Sequence, residues 1–325
     1  MSRYARQIAV PGFGSGAQDR LRTAHVLVIG AGGLAAPVLQ YLTGAGVGKI
    51  SLVDPDQVAL SNLHRQTLFV HDDLGQPKAT AAVNHMQRLN PEVSFVAHNV
   101  ALGPANVADL IRGVDLVLDC ADSFAASYIL SDACQPLGLA LISASVVGMA
   151  GYCGGFCRTA PSLRAVFPDL PDRMASCAED GVLGPVVGVI GGLQAQMAIA
   201  VLAGLVPSPL GQLVTFDADG FRFGGFRFDT APEPESYFDF IAADDFDSQD
   251  FIIDLRAAQE APLAHPNAVR AQVLDIGSQG PLPDITQRAV LCCASGLRAW
   301  QAADRLAAAW SGRIVLAALG KEPFN

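Results

Sequence analysis

The chain has 325 residues, a net charge of −10, 51% hydrophobic and 16% charged residues, and 32 glycines. That length suits two domains, or one large domain with an appendage, and the composition excludes a disordered or fibrous chain. The acidic balance excludes the basic footprint of a nucleic-acid binder and opposes docking on an anionic membrane, so neither partner is expected.

Residues 1–7 lack the apolar core of a secretory signal, and seven cysteines in irregular spacing do not make a disulfide framework. A cytoplasmic location is expected. In chain order, residues 25–30 form a short β-branched run that ends in glycine, the pattern of a buried strand. The turn Gly30-Ala31-Gly32-Gly33-Leu34-Ala35 follows, and residues 36–44 read as a helix. Residues 49–54 form a second strand ending in Asp54, and residues 78–89 a helix stopped by Asn90-Pro91. Further strands are predicted over 93–100, over 114–119, closed by Cys120-Ala121-Asp122, and over 139–144. This alternation predicts an α/β fold with a Rossmann-like, doubly wound, mostly parallel sheet.

Residues 181–216 contain no charged side chain, and 188–206 has the length of a membrane span. Gln194 and Gln196 in mid-run, with no Lys or Arg close to either end, favour a buried helix pair instead. Composition changes near residue 228: residues 229–250 carry eight acids, two prolines and no base. The expected division is residues 1–228, an acidic linker over 229–249, and a small α/β unit over 250–325. In that unit strands are predicted from residue 250 and over 289–292, followed by a cysteine-containing turn and a helix over 300–310.

A glycine turn between a strand and a helix N-terminus cradles phosphate, because small residues let the backbone approach and free N–H groups favour negative charge. Gly30, Gly32 and Gly33 are placed for this, and Asp54 ends the next strand, where an acid accepts hydrogen bonds from ribose hydroxyls. These features alone also fit an NAD-dependent oxidoreductase. Ser61-Asn62-Leu63-His64-Arg65-Gln66 and Gly75-Gln76-Pro77-Lys78 then add two cations and an amide past the ribose acid, which suits a triphosphate whose pyrophosphate must leave. Asp122, at a later strand tip, is a candidate Mg²⁺ ligand, since hard cations take carboxylate oxygens. A non-catalytic scaffold is the third reading, opposed by intact Arg6, Arg65, Lys78 and Asp122.

Residues 3–7 (Arg-Tyr-Ala-Arg-Gln), the turn 30–35, Asp54, the segments 61–66 and 75–78, Leu118-Asp119-Cys120-Ala121-Asp122, and Ser176-Cys177-Ala178-Glu179-Asp180-Gly181-Val182 together resemble the MoeB/ThiF/HesA family, relatives of ubiquitin-activating enzymes, over about residues 1–225. The resemblance implies ATP-dependent adenylation of the terminal Gly-Gly of a small ubiquitin-like sulfur-carrier protein by a homodimer, with Arg6 reaching the partner subunit's nucleotide. It implies that Gly33 contacts the nucleotide, Asp54 the ribose, and Asn62, Arg65 and Lys78 the phosphates. Asp122 would bind Mg²⁺, and Ser123 stands where the family often has Asn. Ser61, Leu63 and His64 belong to the same nucleotide-side segment.

Cys177 resembles the family cysteine that forms a thioester or acyl-disulfide with the carrier, and thiolates attack acyl-adenylates readily. The family's structural zinc needs two Cys-x-x-Cys pairs. Residues 162–168 hold none at the first place and no second pair follows 221–228, so no zinc is expected. Cys153 and Cys157 on one strand would stand about 13 Å apart, too far for one metal.

Leu291-Cys292-Cys293-Ala294-Ser295-Gly296-Leu297-Arg298 places a cysteine at the start of a short loop before a helix, where backbone N–H groups lower a thiol pKa and steady a persulfide anion. Arg298 adds positive charge. The stretch, with Ile253-Asp254-Leu255-Arg256, resembles the active loop of rhodanese sulfurtransferases, and Cys293 aligns with the persulfide-bearing cysteine. The combined expectation is an adenylyltransferase fused to a short rhodanese-like unit, fed with sulfur by thiosulfate or a cysteine desulfurase.

Overall fold

The computed structural model describes residues 3–170, 180–278 and 280–320. In chain order the regular elements begin with α1 (Ala5–Ile8), α2 (Gly14–Thr23), β1 (His25–Ile29), α3 (Ala35–Ala45), β2 (Lys49–Val53), α4 (Lys78–Leu89), β3 (Ser94–His98) and α5 (Val107–Leu110). β4 (Leu116–Asp119), α6 (Phe124–Cys134), β5 (Ala140–Val147), β6 (Ala150–Phe156), α7 (Leu163–Val166), α8 (Gly184–Ala203), β7 (Gln212–Asp217) and β8 (Arg222–Arg227) follow. The C-terminal part holds β9 (Asp239–Phe240), β10 (Phe251–Asp254), β11 (Val269–Arg270), β12 (Ala289–Cys293), α9 (Leu297–Ala307) and β13 (Ile314–Ala318).

The first sheet has eight strands in the order β3-β2-β1-β4-β5-β6-β7-β8. β1 to β5 run parallel, and β6 to β8 continue the sheet antiparallel. The central strands β1, β2 and β4 are buried on both faces, as their continuous aliphatic runs require, while β3 at the edge is only half-buried. The chain steps outward from β1 to β3, then restarts at β4 on the other side of β1. That reversal opens a crevice at the carboxyl ends of β1 and β4, where ligands bind in open α/β sheets.

The apolar run is one 20-residue helix, α8, rather than the expected pair. By length and composition it could cross a membrane, yet 56% of its apolar window is buried, against α2, α3, β5 and β6. Gln194 is fully buried in its middle and explains why the helix carries an amide there. Its Nε2 donates to Asp119 O at 2.7 Å and Ile142 O at 3.1 Å, and its Oε1 accepts from Cys120 Sγ at 3.3 Å. One side chain thus ties α8 to the tips of β4 and β5.

The second sheet is parallel, in the order β11-β10-β12-β13-β9. The acidic stretch 229–249 is therefore not a free linker: Asp239 and Phe240 pair with Val315 and Leu316 of β13, and Phe240 is buried. Glu233, in the same stretch, accepts hydrogen bonds from the Ser162 backbone and hydroxyl and from Gln135. α9 begins three residues earlier than the sequence suggests and ends at Ala307, because Gly296 at φ +88° turns the chain from β12 directly into the helix. The two sheets share one hydrophobic core through Phe124, Tyr128, Phe238, Phe240 and Trp300.

Candidate active site

A cavity of about 570 Å³ occupies the crevice at the carboxyl ends of the strands. Gly30 makes the turn possible. Its φ of +91° is a left-handed conformation, and a Cβ there would lie 2.7 Å from Cys120 O. Gly32 and Gly33 line the cavity beside it.

Asp54 is buried at the end of β2. Its Oδ2 accepts the Ala31 N–H at 2.7 Å and its Oδ1 the Asp56 N–H at 2.8 Å. Burial raises its pKa, and those two N–H groups work against that rise. The carboxylate holds the glycine turn while keeping lone pairs for the cavity it lines.

Two cations line the same cavity. Lys78 is the first residue of α4 and is buried, with Nζ 2.8 Å from Asp56 Oδ2, while its backbone N–H donates to Asp56 O at 2.8 Å. It therefore presents an ammonium at a helix N-terminus, where anions are favoured. Arg65 is steered by its own segment, with Nη2 donating to Asn62 Oδ1 at 3.3 Å and Nη1 2.9 Å from His64 Nε2. Asp122 and Ser123 are exposed on the loop between β4 and α6 and line the same cavity.

Ser61, Asn62, Leu63 and His64 stand outside the cavity lining. Asn62 and His64 hold Arg65, Leu63 packs on the core, and Ser61 is exposed. Arg6 is exposed on α1 and is also outside the lining of this single chain. Cys177 lies outside the described residues.

Two side chains that sequence reasoning assigned no role belong to the site. Gln66, the last residue of the Ser61 segment, is buried in the cavity wall, and its Oε1 has no hydrogen-bond partner among the described residues. A buried acceptor left without a partner in a cavity-lining residue calls for an explanation, and a donor on a ligand would supply one. Asp119 is fully buried beneath Asp122 and accepts from Ser143 Oγ at 2.7 Å and from the Ala121 N–H at 3.2 Å. Burial raises its pKa. It fixes the strand tip that presents Asp122, a role visible only once β4 and β5 are paired.

In the C-terminal unit Cys293 ends β12 and is buried, and its Sγ accepts the Gly296 N–H at 3.1 Å. Arg298, on the first turn of α9, is held by Glu260, with 2.8 and 2.6 Å contacts to the two carboxylate oxygens, and donates to Leu255 O at 2.8 Å. The guanidinium, helped by the Ala257 N–H, brings the Glu260 pKa down to about 2. Cys292 points away to Ile253 O, and burial pushes its thiol up. The neighbour is thus a core thiol, and Cys293 is the one whose sulfur meets the loop.

Cys153 and Cys157 make separate contacts, with Met197 Sδ and with Ser131. Among the described residues no three His, Cys, Asp or Glu side chains gather as a metal site. A wider depression of about 1160 Å³ lies at the amino ends of the strands, near Arg20, Ala24, Asp115 and Leu139, and shares none of these residues.

With this geometry in place, comparison with known proteins is decisive at the level of family: residues 4–237 match the ThiF family. The chain belongs to that family. It is 41% identical over 231 residues to the "Adenylyltransferase and sulfurtransferase MOCS3" of Drosophila grimshawi, covering 70% of this chain and 51% of that one. It is 45% identical over 224 residues to the protein of the same name from Bos taurus, covering 66% and 48%. The chain spans about half the length of these relatives. The "Sulfur carrier protein adenylyltransferase" of Thermus thermophilus is 41% identical over 226 residues, covering 67% of this chain and 83% of that one. Among solved structures, E. coli MccB with ATP superposes with a TM-score of 0.63 over 71% of this chain and 73% of that chain, at 21% identity, which establishes a shared fold. ThiF membership sets aside the NAD-dependent oxidoreductase that the glycine turn alone allowed.

Proposed function

We propose that this ThiF-family chain uses ATP to adenylate the C-terminal Gly-Gly of a ubiquitin-like sulfur-carrier protein, and that its C-terminal unit, rhodanese-like, supplies sulfur from a persulfide on Cys293. The observation that carries the first half is that Arg65, Lys78 and Gln66 line one cavity with Gly30, Gly32, Gly33 and Asp54. The names of the relatives from Drosophila and Bos taurus support both halves, and that of the Thermus relative supports the adenylation half.

In this reading the backbone around Gly30 to Gly33 carries the phosphates and Asp54 takes the ribose. The carrier carboxylate attacks the α-phosphorus, and pyrophosphate leaves. Negative charge grows on the α-phosphate and the leaving group, and Arg65 and Lys78, already aimed there, stabilise it without reorganising. Asp122 offers one carboxylate facing the cavity, which fits the way Mg²⁺ is held by one or two protein oxygens plus phosphate. When bound, that ion would offset charge on the phosphates.

Arg6, exposed in one chain, would complete the site of a partner subunit in a homodimer. At the second centre Arg298, anchored by Glu260, and the Gly296 N–H stabilise the sulfur anion of Cys293, with thiosulfate or a cysteine desulfurase as donor. Six unpaired cysteine thiols among the described residues suit a reducing, cytoplasmic setting.

The test is intact-mass spectrometry after mixing the protein with ATP, Mg²⁺, thiosulfate and Gly-Gly carriers. The expected product is a carrier with one oxygen replaced by sulfur, lost in Cys293→Ser. Carrier adenylate without sulfur would reduce the protein to an adenylyltransferase, and no change with any carrier would remove the reading. Gln66→Leu is expected to weaken ATP binding by up to about tenfold, the upper end of the roughly 0.5–1.5 kcal/mol net worth of one hydrogen bond. The same substitution should leave the urea midpoint unchanged or raised, since it deletes a buried acceptor without a partner. Titration calorimetry and urea unfolding read the two effects; a lowered midpoint with unchanged affinity would make Gln66 structural.

A further inference from the structure

The nucleotide cavity does not end at the first sheet. Its far wall is built by Phe240 of β9, by Ala294, the residue after Cys293, and by Ala318 and Gly320 at the end of β13. One enclosure therefore has the glycine turn and Lys78 on one side and the sulfur loop on the other. At about 570 Å³ it lies within the roughly 300–1,000 Å³ range of small-molecule sites.

The wall is fixed by packing. Phe124, two residues after Asp122, meets Phe240 and Trp300 edge-on with ring centroids 6.4 and 6.5 Å apart. Gly296 fits against the same rings: a Cβ there would stand 3.0 Å from Phe240 and 3.3 Å from Phe124. The Leu319 and Gly320 N–H groups donate to Cys293 O at 2.8 Å and Ala294 O at 2.9 Å, which clamps the loop to β13. Cys293, the residue before Ala294, is buried and stands just outside the cavity lining, and a persulfide extends its reach by one S–S bond of about 2 Å.

We infer that sulfur is delivered in cis: Cys293 of one chain serves the acyl-adenylate held on the glycine turn of that same chain, across one cavity and without separation of the two sheets. The inference rests on the adenylation and sulfur-transfer reading above. The Cys293 thiolate takes the outer sulfur of thiosulfate and releases sulfite. The resulting persulfide anion attacks the carrier carbonyl carbon, a C–S bond forms as the C–O bond to phosphate breaks, and AMP leaves with the electron pair. The product is a carrier acyl-disulfide on Cys293. A dithiol reductant then splits it to carrier thiocarboxylate and free Cys293, and is itself oxidised to a disulfide.

The experiment uses two differently tagged full-length chains, one Lys78→Gln and one Cys293→Ser, co-expressed and isolated as a mixed dimer by sequential capture. An equimolar mixture serves if the chains do not copurify. The sample is loaded with thiosulfate, freed of excess, given ATP, Mg²⁺ and carrier, and finally treated with dithiothreitol before the carrier is weighed. Pyrophosphate exchange reports the intact nucleotide site, and gain of one sulfur by the other chain reports the intact loop, so misfolding of either half is seen in the same sample.

Both half-reactions are expected, with no carrier thiocarboxylate above the level given by the double variant, whereas wild type makes it. Thiocarboxylate from the mixed sample, at a rate set by its single competent nucleotide site, would overturn cis delivery. Wild type that exchanges pyrophosphate but never sulfurates carrier would remove the reading beneath it instead.

Discussion

Arg164→Ala is expected to cost about 3–5 kcal/mol of unfolding free energy, the range for breaking a buried ion pair by removing one partner. The Arg164 side chain is 2% exposed. Its Nε and Nη2 meet both oxygens of Asp132 at 2.7 and 2.8 Å, and Nη2 also donates to Phe238 O at 3.1 Å. The guanidinium lies over the rings of Tyr237, Tyr128 and Trp300 at 4.2, 4.9 and 5.5 Å, and each such contact adds to a desolvated cation's attraction.

One side chain therefore joins α6, the start of β9 and α9. Burial pushes the Asp132 pKa up and Arg164 opposes that rise, so alanine leaves a partly buried carboxylate without its counterion. Among the described residues Nη1 has no hydrogen-bond partner, so a double replacement loses no hydrogen bond there. Arg164→Met with Asp132→Leu should thus recover most of the loss, because an apolar pair of similar volume avoids the uncompensated charge. Urea unfolding of both variants decides it; a single-variant loss below about 1 kcal/mol would rank the pair with surface ion pairs. Arg164 falls within residues 162–168, where the sequence lacks the family's first zinc-binding pair, and this cluster ties the same strip of chain to residues 233–238 with organic groups.

Lys78→Ala is expected to lower kcat/KM for ATP–pyrophosphate exchange by about 10²–10³, or about 2.7–4 kcal/mol, the cost of removing one preorganised group facing developing charge. The ammonium is buried, and its contact with Asp56 places it without a rotamer search when nucleotide enters. Arginine at the position keeps the charge but not its compact size, and should restore part of the rate. Alanine also frees Asp56 next to the phosphates, which adds repulsion to the lost attraction. A loss confined to KM for ATP, with kcat intact, would mean that Lys78 binds ground state and transition state alike.

The parts of the molecule legible in the sequence are those whose signals are local. The run before Gly30, the acid at Asp54 and the helix from Lys78 to Leu89 ending at Asn90 follow from β-branched runs, glycine and proline within a few residues. α2 has no local helix signal because it opens on Gly14-Ser15-Gly16, poor helix formers held in place by packing against α8. β6 and β8 contain Gly151, Gly154, Gly155, Gly224 and Gly225, which blur the strand pattern, and their pairing comes from antiparallel neighbours.

β9 is two residues long, and its partners lie 76 positions later, so charge density dominates the local signal of that stretch. Gln66 and Asp119 became site residues only through burial, which no neighbouring residue announces. The wall made by Phe240, Ala294 and Ala318 joins segments that only tertiary folding brings together.

β9 also bears on how the protein can be dissected. A C-terminal fragment started at residue 250 would lose β9 and leave β13, Ile-Val-Leu-Ala-Ala, with a bare row of N–H and C=O groups on an apolar strand. Such an edge recruits another copy of itself. The fragment would precipitate or stack into fibrils through that edge, and its behaviour would say little about Cys293. A cut placed before Asp239 keeps the guard strand in place.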